Sequence, residues 1–340
     1  MIKLPTIQDA GDLEGKYVLL RLDLNVPVDG GHITDPSRID KSIPTIDLLR
    51  SKKARTIIIA HSENKGDSTL HPMWDYLNGF VPLDFAKDLF SAETVKMIAD
   101  MQDGGVLLLE NLRNDPGEKA NDPEYTKRLA AYGDVYVNDA FSVSHREHAS
   151  IVGLPKLLPH YAGPLLMTEI ENLSKAFSPS HPFLFILGGA KFETKLPLVN
   201  KFLQSADTIF IGGLLAGEAV KTDVVKNGKI VLPVGDIAAP DANPETLDVL
   251  APKIAEAKFI LWNGPLSYYE KGYVAGNEKL AEMIATATAH GAESIIGGGD
   301  TSAAIVDKSL LEKYSFVSTG GGAMLDFLAN ETLPGITALG

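Results

Sequence analysis

Residues 294–305 read Ser-Ile-Ile-Gly-Gly-Gly-Asp-Thr-Ser-Ala-Ala-Ile, and their types and order suit one kind of chemistry. An apolar run leads into glycines, then an acid, a hydroxyl and small residues that can start a helix. Gly297, Gly298 and Gly299 place no side chain at the handover from strand to helix, so a phosphate can approach the backbone there, while Thr301 opens a helix whose first amides lack partners. Asp300 beside them suits a hard cation such as magnesium, which prefers a carboxylate together with phosphate oxygens. Taken alone, the segment reads equally as a tight turn with an N-capping Asp, so the rest of the chain has to decide.

Four more glycine turns follow apolar runs. Leu187-Gly-Gly-Ala-Lys-Phe-Glu-Thr-Lys carries Gly188 and Gly189, then Lys191 and Lys195 on one face of a helix. Gly212-Gly213 follows residues 208–211, Asn263-Gly264-Pro265 follows Trp262, and Gly320-Gly321-Gly322 follows residues 315–317. One such turn is commonplace. Five of them at the carboxyl ends of strands in one sheet, two joined to a lysine pair or an Asp-Thr, point to a polyphosphate ligand. The P-loop, dinucleotide and protein-kinase signatures are absent, which disfavours those enzyme classes.

The first half of the chain collects cations at the ends of its apolar runs. Arg21, Asp23 and Asn25 alternate, as on one face of a strand; Arg38 stands where a helix should begin; His61 follows a strand directly. Arg113 and Arg146 close the set. Each arginine alone reads as a solvated charge or an internal ion pair. Their shared position beyond strand ends, where ligands of parallel sheets gather, implies a small, multiply anionic substrate matched by bidentate pairing. His145 and His148 lack the further ligands a zinc site would show and read as structural.

The elements that must position these residues are short runs rich in Val, Ile, Leu and Phe without polar alternation, at 17–20, 56–60, 106–109 and 135–137, then 183–187, 208–211, 230–232, 259–262, 294–296 and 315–317. Strands covered on both faces read this way, and helical stretches separate them, so the fold class is α/β: two Rossmann-like three-layer αβα domains with parallel sheets. Residues 165–177, with Leu166, Ile170, Leu173 and Phe177 at helical spacing and Gly-Pro and Ser-Pro breakers at either end, read as an interdomain helix and hinge. The expected domains are 1–160, the joining helix 161–178, and 179–324, and residues 330–340 are too apolar for a free tail and should pack on something.

The chain has 340 residues, 45% of them hydrophobic, enough for two cores. Its net charge of -13 argues against bulk attraction to nucleic acid. The absence of cysteine excludes disulfides, thiolate zinc sites and a Cys nucleophile. No leader-like or membrane-spanning run is evident, so the expectation is a cytoplasmic protein with no membrane partner.

A basic crevice in one half and a phosphate cradle with a magnesium candidate in the other fit phosphoryl transfer, which needs alignment and charge neutralisation more than covalent help. No general base stands out, which suits an acceptor that is already an anion, such as a carboxylate.

The chain resembles the phosphoglycerate kinase family over nearly its whole length. The segments that carry the resemblance are Arg21-Leu-Asp-Leu-Asn-Val-Pro27, Leu108-Leu-Glu-Asn-Leu-Arg113, Val135-Tyr-Val-Asn-Asp-Ala-Phe141 with His145-Arg146, Gly188-Gly-Ala-Lys191, Trp262-Asn-Gly-Pro265, Gly297-Gly-Gly-Asp-Thr301, Val317-Ser-Thr-Gly-Gly-Gly322 and Leu333-Pro-Gly335. The resemblance implies reversible transfer between 1,3-bisphosphoglycerate with ADP and 3-phosphoglycerate with ATP, magnesium accompanying the nucleotide, a monomer, and a C-terminal segment 325–340 that packs back on the first domain. It implies that Arg21, Asp23, Asn25, Arg38, His61, Arg113 and Arg146 hold the phosphoglycerate. Arg38, Lys191, Gly298 and Gly321 would act on the moving phosphoryl group. Gly189, Lys191, Lys195, Gly212, Gly213, Asn263, Glu270, Gly297, Gly298, Gly299, Asp300 and Thr301 would hold the nucleotide, with Asp300 on the metal and Glu270 at the ribose.

The chain departs from the family where Leu-Gly-Arg-Pro usually follows the histidine: here Ser62-Glu63-Asn64-Lys65 stands, and Lys65 replaces an arginine as a point charge. Leu214 stands for a third glycine, Ser267 for a commoner glycine, and the chain is short for the family. A kinase for another small carboxylic acid, and a non-catalytic nucleotide-binding protein of the same fold, remain open at this point.

Overall fold

Runs such as Phe183–Leu187 and Phe259–Asn263 are buried at every position, and a segment with no solvent face settles as an inner strand of a parallel sheet covered by helices on both sides. The computed structural model describes residues 2–63, 69–190 and 192–340; Lys65 and Lys191 lie outside the described residues. The chain divides into two compact units, Met1–Ile170 with Thr332–Gly340, and Glu171–Glu331. The two α/β domains are thus present, each with its own parallel sheet of six strands.

In the first unit the order is β1 (Tyr17–Arg21), a small hairpin β2 (Val28–Asp29) and β3 (His32–Ile33), α1 (Ser37–Ser51), β4 (Arg55–Ile59), α2 (His71–Asn78), β5 (Asp84–Ala86) and α3 (Ala92–Asp100). It continues with β6 (Val106–Leu109), α4 (Pro116–Ala120), α5 (Pro123–Ala130), β7 (Val135–Asn138), β8 (His160–Ala162) and α6 (Pro164–Ser174). The sheet order is β5-β6-β4-β1-β7-β8. Parallel register sets Arg21 beside Ile59 and Asn138, so the ends of β1, β4 and β7 are level. Local signals start the helices: Asp122 accepts from the Tyr125 amide ahead of Pro123, and Ser91 does the same for Thr94.

In the second unit the order is β9 (Phe183–Leu187), α7 (Phe192–Phe202), β10 (Thr208–Ile211), α8 (Leu214–Ala219), β11 (Ile230–Val231), α9 (Pro244–Glu256), β12 (Phe259–Asn263) and α10 (Ala275–Ala289). Then come β13 (Glu293–Gly297), α11 (Gly299–Ala303), β14 (Phe316–Ser318) and α12 (Gly322–Asn330), while α13 (Pro334–Thr337) belongs to the first unit. The sheet order is β11-β10-β9-β12-β13-β14, all parallel. Its core runs through Ile186, Phe210, Ile260, Trp262 and Ile296.

Helix α6 starts in the first unit and ends in the second, the division falling between Ile170 and Glu171. Its start is held by buried Asp139, whose carboxylate accepts from the Leu165 and Leu166 amides at 2.6 and 3.1 Å and from Thr45 Oγ1 at 2.5 Å. In the C-terminal segment the Gly335 amide donates to the Ser144 carbonyl at 2.8 Å, and Leu333, Ile336 and Leu339 are buried. Gly335 abuts Ile151 and Ser144, leaving no room for a Cβ.

Two local expectations change. β1 stops at Arg21, so Asp23 and Asn25 sit in the coil beyond it, although Leu22, Leu24 and Val26 keep the alternation by burying between them. Helix α11 begins at Gly299, so Thr301 is inside the helix rather than opening it. No helix among the described residues is long and apolar enough to cross a membrane.

Candidate active site

The first unit builds its site on the level ends of β1, β4, β6 and β7. Arg21, almost fully buried, donates from Nε to Ser150 Oγ at 3.0 Å, from Nη1 to the Leu22 carbonyl, and from Nη2 to His61 Nδ1 at 2.9 Å. Ser150 in turn donates its amide at 3.0 Å and its hydroxyl at 2.5 Å to the carboxylate of Glu118, which has no exposed surface. A buried carboxylate thus compensates a buried guanidinium through one hydroxyl, the pairing such charges require. Arg21 reaches the crevice through His61, which it orients.

An arginine can only donate, so His61 Nδ1 accepts and Nε2 carries the proton. Burial, helped by the charges of Arg21, Arg113, His148 and Arg146, pushes the His61 pKa far below the usual imidazole range. The ring is neutral and offers a donor, not a base. His148, with Nδ1 3.9 Å from Glu118 Oε1, is pushed down to about 4 by burial and then by Arg113, Arg21, Arg146 and Lys119.

Both histidines therefore bind protons more readily in the unfolded chain, where the value is near 6.5. Their contribution to stability is complete above that pH and is lost as pH falls toward 4. Denaturant unfolding between pH 7 and 4.5 should show His148→Asn flattening the decline by about 1 kcal/mol per pH unit or less, its side chain being 15% exposed and so partly screened. An unchanged slope would remove the role given to this ring.

Arg113 opens beyond β6, its amide donating to Asn111 Oδ1 at 3.0 Å, and its side chain, 7% exposed, is ion-paired with Glu63. Arg38, on the first turn of α1, donates from Nη1 to Asp23 Oδ2 at 3.0 Å and to the Asn25 carbonyl at 3.2 Å. Asp23 also accepts from Ser142 Oγ. Asn25 Oδ1 accepts from the Glu63 amide at 3.0 Å, which links the Arg38 pair to the Arg113 pair. Arg146 is exposed, and its charge is felt by His61, His148 and Arg113. Arg21, Arg38, His61, Arg113 and Arg146 are thereby brought to one end of the first sheet, an arrangement suited to an anion.

In the second unit the glycine turns at the ends of β9, β10, β12 and β13 interlock. The Gly188 amide donates to the Asn263 carbonyl at 2.8 Å and the Gly189 amide to the Pro265 carbonyl at 2.7 Å. Gly213 lies against Pro265 and Gly189, and Gly264, at φ +90°, lies against the Gly188 carbonyl. Thr301 Oγ1 accepts from the Gly264 amide at 2.8 Å and donates to the Gly297 carbonyl at 2.6 Å; Asn263 Nδ2 donates to the same carbonyl at 3.0 Å. Both side chains are buried and tie turns together.

The glycines fall into two groups. Gly188, Gly264 and Gly297 are required by protein atoms, Gly297 lying against Met324. Around Gly299 and Gly322, in contrast, an added Cβ would meet nothing within 4 Å. Gly322 begins α12, and Gly321 before it holds φ +53°. These open positions leave backbone amides accessible to an anion.

Lys195 Nζ donates to the Gly188 carbonyl at 2.6 Å beside Gly189. Burial pushes its pKa down to about 8, opposed by Asp300. Asp300 is exposed, with Tyr269 Oη 3.3 Å from Oδ1, and Glu270 is exposed on the next residue after Tyr269. Among the described residues no cluster of three acidic, histidine or cysteine side chains could hold a metal by itself. One exposed carboxylate fits a magnesium ion that brings its other ligands as phosphate oxygens and water.

The family model described as phosphoglycerate kinase matches residues 7–233 and 218–331. The chain belongs to the phosphoglycerate kinase family. Among phosphoglycerate kinases, that of Methylorubrum extorquens strain PA1 is 38% identical over 391 aligned positions, covering 98% of each chain. That of Fervidobacterium nodosum is 35% identical over the same shares. In three dimensions the chain is similar to the phosphoglycerate kinase of Coxiella burnetii, with TM-score 0.84, 30% identity and 99% of each chain covered. It also matches that of Pyrococcus horikoshii OT3, with TM-score 0.86 and 26% identity, covering 99% of this chain and 98% of the other. An alignment of 391 positions against a chain of 340 residues opens gaps in this chain, so the relative carries extra segments.

Sequence reasoning within this phosphoglycerate kinase pattern missed Glu118 and Ser150 behind Arg21, Ser142 on Asp23, Glu63 on Arg113 and Tyr269 on Asp300. For Glu63 a signal existed, its place in the altered segment after His61. The others are joined across long stretches of chain with no pattern to betray them.

Proposed function

We propose that the protein catalyses reversible phosphoryl transfer between 1,3-bisphosphoglycerate and ADP, giving 3-phosphoglycerate and ATP. The observation that carries this reading is an anion site without a free base: His61 is a neutral donor, and Asp23 and Glu63 are each paired to an arginine. Such a site suits an acceptor that is already a carboxylate and needs no deprotonation. The acid would sit among Arg38, His61, Arg113 and Arg146, with Asp23 and Asn25 beside it and Arg21 orienting His61.

The nucleotide phosphates would lie on the open amides at Gly298, Gly299 and Gly321–Gly322, with Lys195 nearby, Glu270 at the ribose, and Gly189, Gly212 and Gly213 lining the way. Lys191 we place on the transferring group by family pattern. Asp300 would hold the magnesium ion, which when bound neutralises phosphate charge. Transfer requires acid and nucleotide to come within reacting distance with water excluded, because an acyl phosphate hydrolyses. Helix α6, shared by the two units, is where we place the motion that achieves it.

Initial rates with MgATP over a panel of small carboxylic acids test this. The expected result is turnover with 3-phosphoglycerate far above that with unphosphorylated or longer acids. A preference for another acid would reassign the substrate, and no turnover with any would leave only nucleotide binding.

A further inference from the structure

A site that receives a phosphate has no evident need of a second carboxylate, yet Glu63 lies on Arg113. The pair is lopsided, with the arginine side chain 7% exposed and the glutamate side chain 55% exposed. Arg113 Nη1 is the atom that Glu63 contacts, while Nε is closed to solvent and makes no hydrogen bond among the described residues, so the pair leaves part of the guanidinium unfilled. Burial lowers the Arg113 pKa, Arg21 and Arg146 add to the effect, and Glu63 opposes it. A buried guanidinium beside two others demands an anion, and Glu63 supplies one.

The backbone at this residue is fixed. The Glu63 amide donates to Asn25 Oδ1 at 3.0 Å, and the Ser62 carbonyl accepts from Asn111 Nδ2 at 2.9 Å. Asn111 Oδ1 also accepts from the Arg113 amide at 3.0 Å. Two asparagines thus hold residue 63 against Arg113, while a half-exposed carboxylate can turn into water at little cost.

We infer that Glu63 sets the affinity of the acid site, as a built-in anion that occupies Arg113 until a phosphate-bearing ligand displaces it. This rests on the reading that Arg113 receives the phosphate of the acid. A phosphate brings more charge and three acceptor oxygens to the unfilled donors, so it wins the exchange with one carboxylate. An acid without that phosphate gains nothing that offsets breaking the pair. Glu63 therefore weakens binding of the phosphorylated acid and leaves that of an acid without the phosphate, which does not contend for Arg113, unchanged.

The test is Glu63→Gln with Glu63→Ala beside it, both exposed changes whose folding is checked by melting. Removing the internal anion should lower the KM for 3-phosphoglycerate about tenfold and strengthen inhibition by inorganic phosphate in parallel. The values of kcat and of KM for MgATP should stay within about twofold, as should inhibition by glycerate, which lacks the phosphate. An unchanged or higher KM for 3-phosphoglycerate in both variants, or an equal gain for glycerate, overturns the inference. Absence of turnover in the unmodified protein would instead overturn the proposed reaction. Calorimetric titration with inorganic phosphate then still reads the exchange at Arg113: tighter binding in Glu63→Gln supports it, and unchanged binding refutes it.

Discussion

Replacing Arg38 by alanine is expected to lower kcat by about a thousandfold while leaving the fold intact, a loss of about 4 kcal/mol of transition-state stabilisation. The guanidinium is held by Asp23 Oδ2 and the Asn25 carbonyl and is 28% exposed, so it is aimed yet still open to a ligand. Asp23 keeps its bond from Ser142 when Arg38 is gone, which limits the structural damage. Arg38→Lys should recover less than about a tenth of the lost rate, because a compact ammonium lacks the planar fork by which a guanidinium pairs two acceptors in fixed geometry. Steady-state rates with both substrates varied decide it. If Arg38→Ala keeps more than a tenth of normal kcat, the residue does not act on the reacting group.

The second large effect separates glycines that serve the ligand from those that serve the fold. Gly322→Leu adds a side chain where no protein atom lies within 4 Å, so the melting temperature should hold. The amides at the start of α12 would be covered, and kcat/KM for the nucleotide should fall about a hundredfold. Gly264→Ala should do the reverse. Its Cβ would fall on the Gly188 carbonyl at a backbone angle of φ +90°, and the β9 and β12 turns would have to part. A cost of about 3 kcal/mol or more is expected. Scanning calorimetry and nucleotide kinetics on both variants give a crossed result if the sorting is right; a normal nucleotide KM and kcat in Gly322→Leu would show that phosphates do not lie there.

The sheets were legible because strands buried on both faces have an unbroken apolar signature, as in residues 183–187 and 259–262. Edge strands were not. β5 and β8 are three residues each, with Asp84 exposed in one and His160 half-buried in the other, too short and too polar to stand out. The hairpin of β2 and β3 has two residues per strand around Gly30-Gly31.

The candidate site was legible in its positions rather than in its bonding. Arginines and glycine turns at strand ends can be counted from sequence once the strands are known. That Thr301 and Asn263 tie turns to one another, or that Arg21 is buried behind His61, depends on which atoms meet across the sheet. Glu118 sits 32 residues from Ser150 on a five-residue helix, with nothing local to mark it as the counter-charge of Arg21.

The product itself offers the most direct test. With MgATP, 3-phosphoglycerate and hydroxylamine, an acyl phosphate is intercepted as a hydroxamate. The account predicts hydroxamate and ADP appearing in equal amounts, and neither when the acid is left out. ADP released without hydroxamate, or at the same rate without the acid, would contradict transfer to a carboxylate.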